Sequence, residues 1–208
     1  RDVERSRGLG DVYKRQIIFA DNKQKLTENP ERFSSQLKAN RSISLVARTV
    51  KEGYLSSEVS EFHLRKIEEP FVSRIKRFQD PAEEVKVSLT GVQTLILITE
   101  GTEDGTHNDH TDWCEASLRK ENGEKVYLSD LEPVLSVQGW GTLGKDKSVK
   151  GLPLLIAGRK FNRGLGTHSN SKLVFDLQGK YKEFHAWIGI DDGAEKSGSA
   201  IFRVQILK

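Results

Sequence analysis

The chain has 208 residues, a formal net charge of +3 and 36% hydrophobic residues. Residues 1–16 hold five Lys or Arg against three Asp or Glu, which leaves a net charge of only +1 for residues 17–208. A nearly neutral chain without a basic stripe argues against nucleic acid or an anionic membrane surface as the partner. No apolar run is long enough to span a membrane, and the single cysteine, Cys114, excludes an internal disulfide.

The first sixteen residues show no apolar periodicity. Their sequence resembles translated sequencing-adapter read-through, and the alternative is a charged, disordered leader. On the first interpretation the chain is a metagenomic fragment. We then expect its true N-terminus, its signal peptide and its neighbouring domains to be missing.

Residues 17–67 predict a small β domain. Residues 42–50 and 58–64 alternate polar and apolar side chains, which is the period of a half-buried strand, and Gly53 supplies a turn between them. The segment resembles the small immunoglobulin-like sandwich at the C-terminus of chitobiase-type enzymes. That resemblance implies a partial immunoglobulin-like β domain.

A second domain is expected at residues 68–208, with the boundary near Glu68-Glu69-Pro70. Asn122-Gly123 is the strongest hairpin signal of the chain. Many short strands with polar turns, and no long amphipathic helix, predict an all-β sandwich or jelly roll. The predicted strands of this domain are residues 85–89, 95–98, 113–118, 125–128, 154–156, 172–177, 183–190 and 200–207.

Four motifs of this second domain occur in a fixed pattern: Asn108-Asp109-His110-Thr111-Asp112-Trp113, Gly139-Trp140-Gly141, Gly164-Leu165-Gly166-Thr167-His168 and Ile188-Gly189-Ile190-Asp191-Asp192. Together they resemble the signatures of the NPCBM family of carbohydrate-binding modules. The resemblance implies a galactose-binding-like jelly-roll sandwich that binds a sugar without catalysing a reaction. Galactose-type glycans are the ligand class that it implies.

The order of these motifs differs from the family's usual order, because the segment that resembles the family's last third comes first. One explanation is a circular permutation within a single domain, joined at the turn of residues 119–124. The other is a tandem pair of truncated copies. Residues 17–67 contain no motif that a first copy would need, which favours the permutation.

Trp140 and His168 are the first candidates for sugar contacts. The indole between two glycines offers a flat apolar face for the C–H patch of a galactose-type ring, unless Trp140 is only a packing residue. A neutral imidazole at His168 offers one donor and one acceptor to hydroxyl groups, unless it is a buried loop histidine.

Asp191 and Arg159 are further candidates. Asp191 and Asp192 end a predicted strand, where adjacent side chains point to opposite faces, so Asp191 can face a binding loop while Asp192 caps the turn at Gly193. The same geometry argues against a glycosidase pair, which needs two carboxylates facing one bond. Arg159 can bind vicinal hydroxyls or a carboxylate, unless it belongs to a solvated face.

Residues 103–113 are rich in atoms of the kind that bind metals. Asp104, Asp109 and Asp112 are candidate ligands of a structural Ca²⁺, although the spacing is not that of an EF-hand and the alternative is a turn network. His107 and His110 could instead indicate a transition metal. By the resemblance, this segment lies near the loop of His168. His110 and Trp113 are therefore also candidate sugar contacts.

The leading hypothesis is a non-catalytic carbohydrate-binding module, not an enzyme, that belonged to a larger secreted or periplasmic carbohydrate-active enzyme with a covalently linked catalytic domain. The alternative is a structural or protein-interaction sandwich without a working sugar site, which mutual burial of Trp140 and His168 would favour. A third hypothesis is a metal-dependent hydrolase that uses His107, His110, Asp109 and Asp112.

Overall fold

The computed structural model describes residues 16–20, 23–28, 31–32, 43–50, 53, 55–195 and 197–208. Except for Gln16, the leader predicted at residues 1–16 lies outside them. The chain divides into two compact units, Arg1–Lys66 and Ile67–Lys208. Within the described residues, no helix has the length and apolar character that a membrane span requires.

The described part of the N-terminal unit forms an antiparallel sheet with one short helix. Its strands are β1 (Gln16–Ala20), β2 (Glu31–Arg32), β3 (Ile43–Val50) and β4 (Ser60–Leu64), in the order β2-β1-β3-β4, and its helix is α1 (Lys23–Glu28). The strands predicted at 42–50 and 58–64 are confirmed as β3 and β4, which pair antiparallel. Ala20, Leu26 and Val46 form its small core. The resemblance to an immunoglobulin-like domain stays a prediction.

The described residues of the C-terminal unit form fourteen further strands. In chain order they are β5 (Ile67–Val72), β6 (Lys76–Arg77), β7 (Glu83–Ser88), β8 (Thr94–Gly101), β9 (His110–Lys120), β10 (Lys125–Tyr127), β11 (Leu135–Val137), β12 (Gly144–Lys145), β13 (Leu154–Ile156), β14 (Arg159–Phe161), β15 (Gly164–His168), β16 (Ser171–Asp176), β17 (Tyr181–Ile190) and β18 (Ser199–Leu207). Single 3₁₀ turns occupy Leu128–Asp130 and Asp192–Ala194. All eight strands predicted for this domain are present.

Two antiparallel sheets form the sandwich that the sequence predicts. The first sheet has the order β12-β15-β9-β17-β7, with β10 paired to β9, and the second has the order β11-β16-β8-β18-β5, with β6 paired to β18. The predicted turn at Asn122-Gly123 joins β9 to β10, and Gly123 has a φ of 85° that suits a glycine. The residues expected at the boundary, Glu68–Pro70, lie within strand β5, which pairs with β18.

The two segments that the motif order separates build one sandwich. Strand β9 lies between β15 and β17 in the first sheet, and β8 lies between β16 and β18 in the second. Central strands from residues 94–120 are therefore flanked on both sides by strands from residues 164–207. The two segments thus belong to one sandwich, and the circular permutation stays a prediction.

The main core lies between the two sheets. The Trp113 indole of β9 packs edge-on against the ring of Phe202 in β18, with centroids 5.1 Å apart, and lies 6.3 Å from the ring of Phe184. All three side chains are completely buried. Each such side chain contributes roughly 1.5–3 kcal/mol of hydrophobic stabilisation relative to an exposed position.

A second, smaller core covers the outer face of the first sheet. The hairpin of β13 and β14 packs its Leu154, Ile156 and Phe161 side chains against Cys114 of β9, with Trp187 of β17 at the edge. The outer face of strand β9 is therefore covered at Cys114, which explains why the strand is buried on both sides.

Candidate functional site

An open cleft lies where strand β9 begins and strand β15 ends. Its volume is about 590 Å³. His110 and His168 face each other in the register of these two strands, and Trp140 reaches the cleft from the loop between β11 and β12. The lining residues are Asp104, Gly105, Thr106, His107, Asn108, His110, Gly139, Trp140, Lys150 and His168.

Three aromatic side chains meet in this cleft. The ring centroids of His110 and Trp140 are 5.9 Å apart and their planes differ by 26°, so the two rings are stacked. The His168 ring lies 5.6 Å from His110 and 5.8 Å from Trp140, tilted against both. Trp140 is 53% exposed, whereas His168 is buried. The mutual burial that would favour a purely structural role is therefore not observed.

The two glycines beside Trp140 let its loop pack closely. A Cβ atom at Gly139 would lie 2.4 Å from the backbone oxygen of Ser169. Gly141 has a φ of 71°, and a Cβ there would lie 2.8 Å from a methyl group of Val149. Because only glycine fits both positions, the sequence Gly-Trp-Gly fixes the loop while it leaves the indole exposed.

Backbone carbonyls orient both imidazoles. Nδ1 of His110 lies 3.1 Å from the carbonyl oxygen of Gly193, and Nδ1 of His168 lies 2.5 Å from the carbonyl oxygen of Ser169. Because a carbonyl only accepts, each Nδ1 is the donor, and Nε2 of each ring is left for a ligand. Burial lowers the pKa of His110, and the positive charge of Lys150 lowers it further. The neutral form of His110 is thus favoured.

Charged groups lie at the rim of the cleft. The Lys150 ammonium donates to the carbonyl oxygen of Gly193 at 3.0 Å and pairs with Glu195 at 2.8 Å. Asp104 accepts hydrogen bonds from the hydroxyls of Thr102 and Ser199, which hold the pKa of this carboxyl below its usual range. The cleft therefore offers an aromatic face, neutral acceptors, a cation and a carboxylate.

Strand β9 begins at His110, three residues before the predicted strand of residues 113–118. Successive side chains of a strand point to opposite faces. Thr111 points inward, where its hydroxyl bonds Thr167 at 2.7 Å, and Trp113 also points inward to the core. This corrects the prediction of a sugar contact at Trp113, because a completely buried core indole does not reach the cleft.

Asp191 also does not line the cleft. It is 2% exposed, and its two carboxylate oxygens accept the backbone N–H groups of Gly193 at 2.9 Å and Leu155 at 3.1 Å. Asp192 accepts the N–H groups of Ala157 and Gly158. Strand β17 ends at Ile190, so the alternation assumed for this pair does not apply. Both carboxylates hold the β13–β14 hairpin, which corrects the predicted role of Asp191.

The three aspartates predicted as calcium ligands do not form one cluster, although Asp104 and Asp109 both bond Ser199. Asp104 bonds the hydroxyls of Thr102 and Ser199, and Asp109 accepts the backbone N–H of Ser199 at 2.8 Å. Asp112 is completely buried, and its pKa is held well above the usual range by burial and by the charge of Asp191. Across the described residues, no group of three or more His, Cys, Asp or Glu side chains is placed to hold a metal ion.

Arg159 does not line the cleft. Its guanidinium carbon lies 4.2 Å from the ring centroid of Trp187 and 4.5 Å from that of Phe161, on the β13–β14 hairpin. Of the predicted contacts, the structure thus brings together Trp140, His168 and His110. Sequence reasoning missed Lys150 and Gly139 as lining residues. For Gly139, the sequence Gly-Trp-Gly could have indicated a loop that lines the cleft. For Lys150, no local sequence pattern indicates such a position.

A β-sandwich with an exposed indole and two oriented imidazoles in an open cleft has the architecture of a small binding module. The sequence profile of the NPCBM/NEW2 domain family matches residues 66–119 and 124–206, roughly two thirds of the chain. The chain therefore belongs to the NPCBM/NEW2 family and carries a non-catalytic carbohydrate-binding module. The two matched segments meet at the β9–β10 turn.

Two curated relatives match part of the chain. A Renibacterium salmoninarum protein named as an endo-alpha-N-acetylgalactosaminidase is 30% identical over 107 residues, 48% of this chain and 7% of that protein. The alpha-1,3-galactosidase B of Akkermansia muciniphila is 35% identical over 82 residues, 38% of this chain and 10% of that protein. The match thus spans at most a tenth of either relative. No solved structure matches the chain.

Proposed function

We propose that the C-terminal unit binds a galactose-type sugar in the cleft of Trp140, His110 and His168, as the binding module of a secreted carbohydrate-active enzyme. The observation that carries this proposal is the convergence of an exposed indole with two imidazoles whose Nδ1 atoms are already bound to backbone carbonyls.

The chemistry of the cleft fits such a ligand. One face of a galactose-type ring is a patch of C–H groups, which can stack on the exposed indole of Trp140. Hydroxyl groups can donate to Nε2 of His110 and His168 and accept from the Lys150 ammonium. The site is shallow and open, so we expect weak affinity that tethering to an enzyme would enhance.

The names of the two relatives support the galactose class. Both name an enzyme that acts on a galactose or N-acetylgalactosamine linkage. A catalytic domain joined to this module, and a location outside the cytoplasm, are parts of the same proposal. The module itself would supply recognition, and the joined domain would supply catalysis.

A titration of the ¹⁵N-labelled full chain with methyl galactoside, N-acetylgalactosamine and glucose tests the proposal. The indole N–H signal of Trp140 should shift saturably with the galactose-type sugars and less with glucose. Trp140→Ala should weaken binding about tenfold or more, a loss of roughly 1.4 kcal/mol or more. Trp187→Phe, which changes a tryptophan outside the cleft, is the matched control and should bind as the unchanged chain does.

The opposite result would be a folded protein whose Trp140 signal moves with none of the sugars. That outcome would remove the sugar site and leave the structural or protein-interaction alternative. A repeat of the titration with Ca²⁺ and then with a chelator tests the predicted calcium site. Because Asp104, Asp109 and Asp112 do not converge, we expect the same affinity in both.

A further inference from the structure

The outer face of the first sheet carries a second aromatic site, which we call the Arg159 platform, formed by Arg159, Phe161 and Trp187. The guanidinium carbon of Arg159 lies 4.2 Å from the ring centroid of Trp187 and 4.5 Å from that of Phe161. None of these residues lines the Trp140 cleft. The platform is therefore a distinct feature of the same unit.

The hairpin holds Arg159 in a fixed orientation. Arg159 pairs with Ile156 and Phe161 pairs with Leu154 across the two strands, so all four side chains share the face that packs on the sheet. Asp192 accepts the two N–H groups of the hairpin turn at 2.9 and 2.8 Å. Arg159 is thus attached to a small core and a braced turn, which reduces the entropy that ordering it on binding would cost.

The polar edge of this guanidinium is free. A guanidinium that lies against aromatic rings uses its flat faces, whereas its five N–H donors point outward in its plane. No described residue provides Arg159 with a hydrogen-bond acceptor or an ion-pair partner. Arg163 shows the other arrangement: it lies 4.7 Å from the ring of Tyr127, but it also pairs with Asp130 and Asp146.

The carboxylate nearest in the sheet register already has partners. Glu84 is paired with Trp187 across strands β7 and β17. Its carboxylate contacts the Lys86 ammonium at 2.9 Å and the His185 ring at 2.9 Å. These contacts leave the Arg159 donors available to an external acceptor.

We propose that the Arg159 platform is a second binding site, which takes the carboxylate or sulfate group of an acidic saccharide. The guanidinium fork matches two oxygens of such an oxoanion, and the exposed part of the Trp187 ring can pack against the sugar. That the ligand is a saccharide rests on the proposed function, whereas the recognition of the anion rests on Arg159. A single exposed ion pair implies a dissociation constant on the order of millimolar that weakens as salt is added.

The three tryptophans of the chain report on three places, which makes the test direct. Trp140 reports on the cleft, Trp187 on the platform and Trp113 on the core. We would titrate the ¹⁵N-labelled full chain with the methyl glycoside of galacturonic acid, with galactose 6-sulfate and with neutral methyl galactoside. Both acidic sugars, or one of them, should shift the Trp187 indole N–H at low salt, and the neutral sugar should not. The sugar that shifts it more identifies the anionic group.

Two neighbouring variants separate specific binding from general charge. Arg159→Gln should weaken the response of Trp187 at least about tenfold, since it removes the charged donors that bind the anion. Lys160→Gln removes an exposed cation from the same strand, where Lys160 pairs with Leu155 and faces the opposite side. It should leave the response intact.

Three results would overturn the inference: no shift of Trp187 with either acidic sugar, an equal shift with neutral methyl galactoside, or an unchanged shift in Arg159→Gln. Failure of the proposed function would look different, because it would appear as an unresponsive Trp140 signal. A Trp187 response without a Trp140 response would keep the anion site and remove the galactose site.

Discussion

The Trp140 cleft and the Arg159 platform are both built around an indole, but their polar partners differ. In the cleft, backbone carbonyls bind Nδ1 of His110 and His168, so what remains for a ligand is Nε2 of each ring. In the platform, two rings hold the faces of Arg159, so what remains is a set of charged donors. The comparison shows that the contacts a side chain already makes within the protein determine which ligand group it can still bind.

One short turn supports both sites. The carbonyl of Gly193 accepts from His110 and Lys150 on the cleft side. Asp191 accepts the N–H of Gly193 and also that of Leu155 in the β13–β14 hairpin, on which the platform is built. The two binding sites are therefore independent in chemistry but share a structural anchor.

Asp191→Ala should have the largest effect, because it removes that anchor. The change leaves two backbone N–H groups without acceptors at a position that is 2% exposed. We expect the free energy of unfolding to fall by about 2–4 kcal/mol, and the indole signals of Trp140 and Trp187 both to shift. Urea unfolding and an NMR spectrum of the variant provide the measurement.

Asp192→Ala is the matched control for this experiment. Asp192 is half-buried, and its carboxylate accepts from the hairpin turn and, at 3.4 Å, from the amide of Gln79. Asp192→Ala should lower the free energy of unfolding by less than Asp191→Ala does. It should shift the indole signal of Trp187 and leave that of Trp140 unchanged. A change of less than about 0.5 kcal/mol in Asp191→Ala, the range of ordinary surface substitutions, would show that the anchor is not needed.

The sequence predicted the sandwich and three of the cleft residues, Trp140, His168 and His110, because local sequence patterns mark both. Alternation gave the strands, and the glycines beside Trp140 and before His168 marked the loops that approach the backbone closely. The prediction failed at the start of β9, because the predicted strand begins at residue 113 and the observed strand begins at His110. Once β9 is known to begin at His110, alternation itself places His110 outward at the cleft and Trp113 inward in the core.

The Arg159 platform could not be read from the sequence as a unit. Arg159 and Trp187 lie on different elements, and they meet only because the β13–β14 hairpin folds back onto strand β17. The bonds from Asp191 and Asp192 that fix this fold cross more than thirty positions of the chain. Lys150 reaches the cleft by contacts of the same long range. Such contacts follow from the tertiary structure and leave no local pattern.

Acidic pH should weaken ligand binding at the cleft but not at the Arg159 platform. We expect this effect to be intermediate in size. Burial and Lys150 lower the pKa of His110. Protonation at lower pH replaces its Nε2 acceptor by a donor, so the response of Trp140 to methyl galactoside should weaken several-fold between pH 7.5 and a pH below the ordinary histidine value of about 6.5. Arg159 stays charged throughout, so the response of Trp187 to galactose 6-sulfate should persist.

His110→Gln is the control, because a glutamine amide keeps an acceptor that does not titrate. The variant should lose less affinity on acidification than the unchanged chain. The stability of the fold should change with pH in the same direction. Because the folded pKa of His110 lies below its unfolded value, the contribution of His110 to the free energy of unfolding is lost as pH falls through the folded pKa. An equal loss of binding in the variant would assign the pH dependence to another group.

Asp112→Asn should have the smallest effect. It changes a buried residue of strand β9 that lies under the β13–β14 hairpin. Asp112 faces Gly166 and Gly189 on the neighbouring strands, and a Cβ at Gly189 would lie 2.5 Å from Ile156 of the hairpin. The hairpin thus encloses a carboxyl group whose pKa burial raises well above the unfolded value. With a raised folded pKa, its contribution to stability is present below the unfolded pKa and is lost as pH rises toward the folded pKa.

Asparagine has nearly the same side-chain shape as Asp112 but does not ionise, so the substitution should remove this pH-dependent loss of stability. Urea unfolding should show Asp112→Asn to be as stable as the unchanged chain at pH 4 and more stable than it at pH 7. The exposed Glu121→Gln should be neutral at both pH values. The opposite result would be a variant that loses stability relative to the unchanged chain between pH 4 and pH 7. It would mean that Asp112 is ionised in the folded protein and that its charge is stabilised beneath the β13–β14 hairpin.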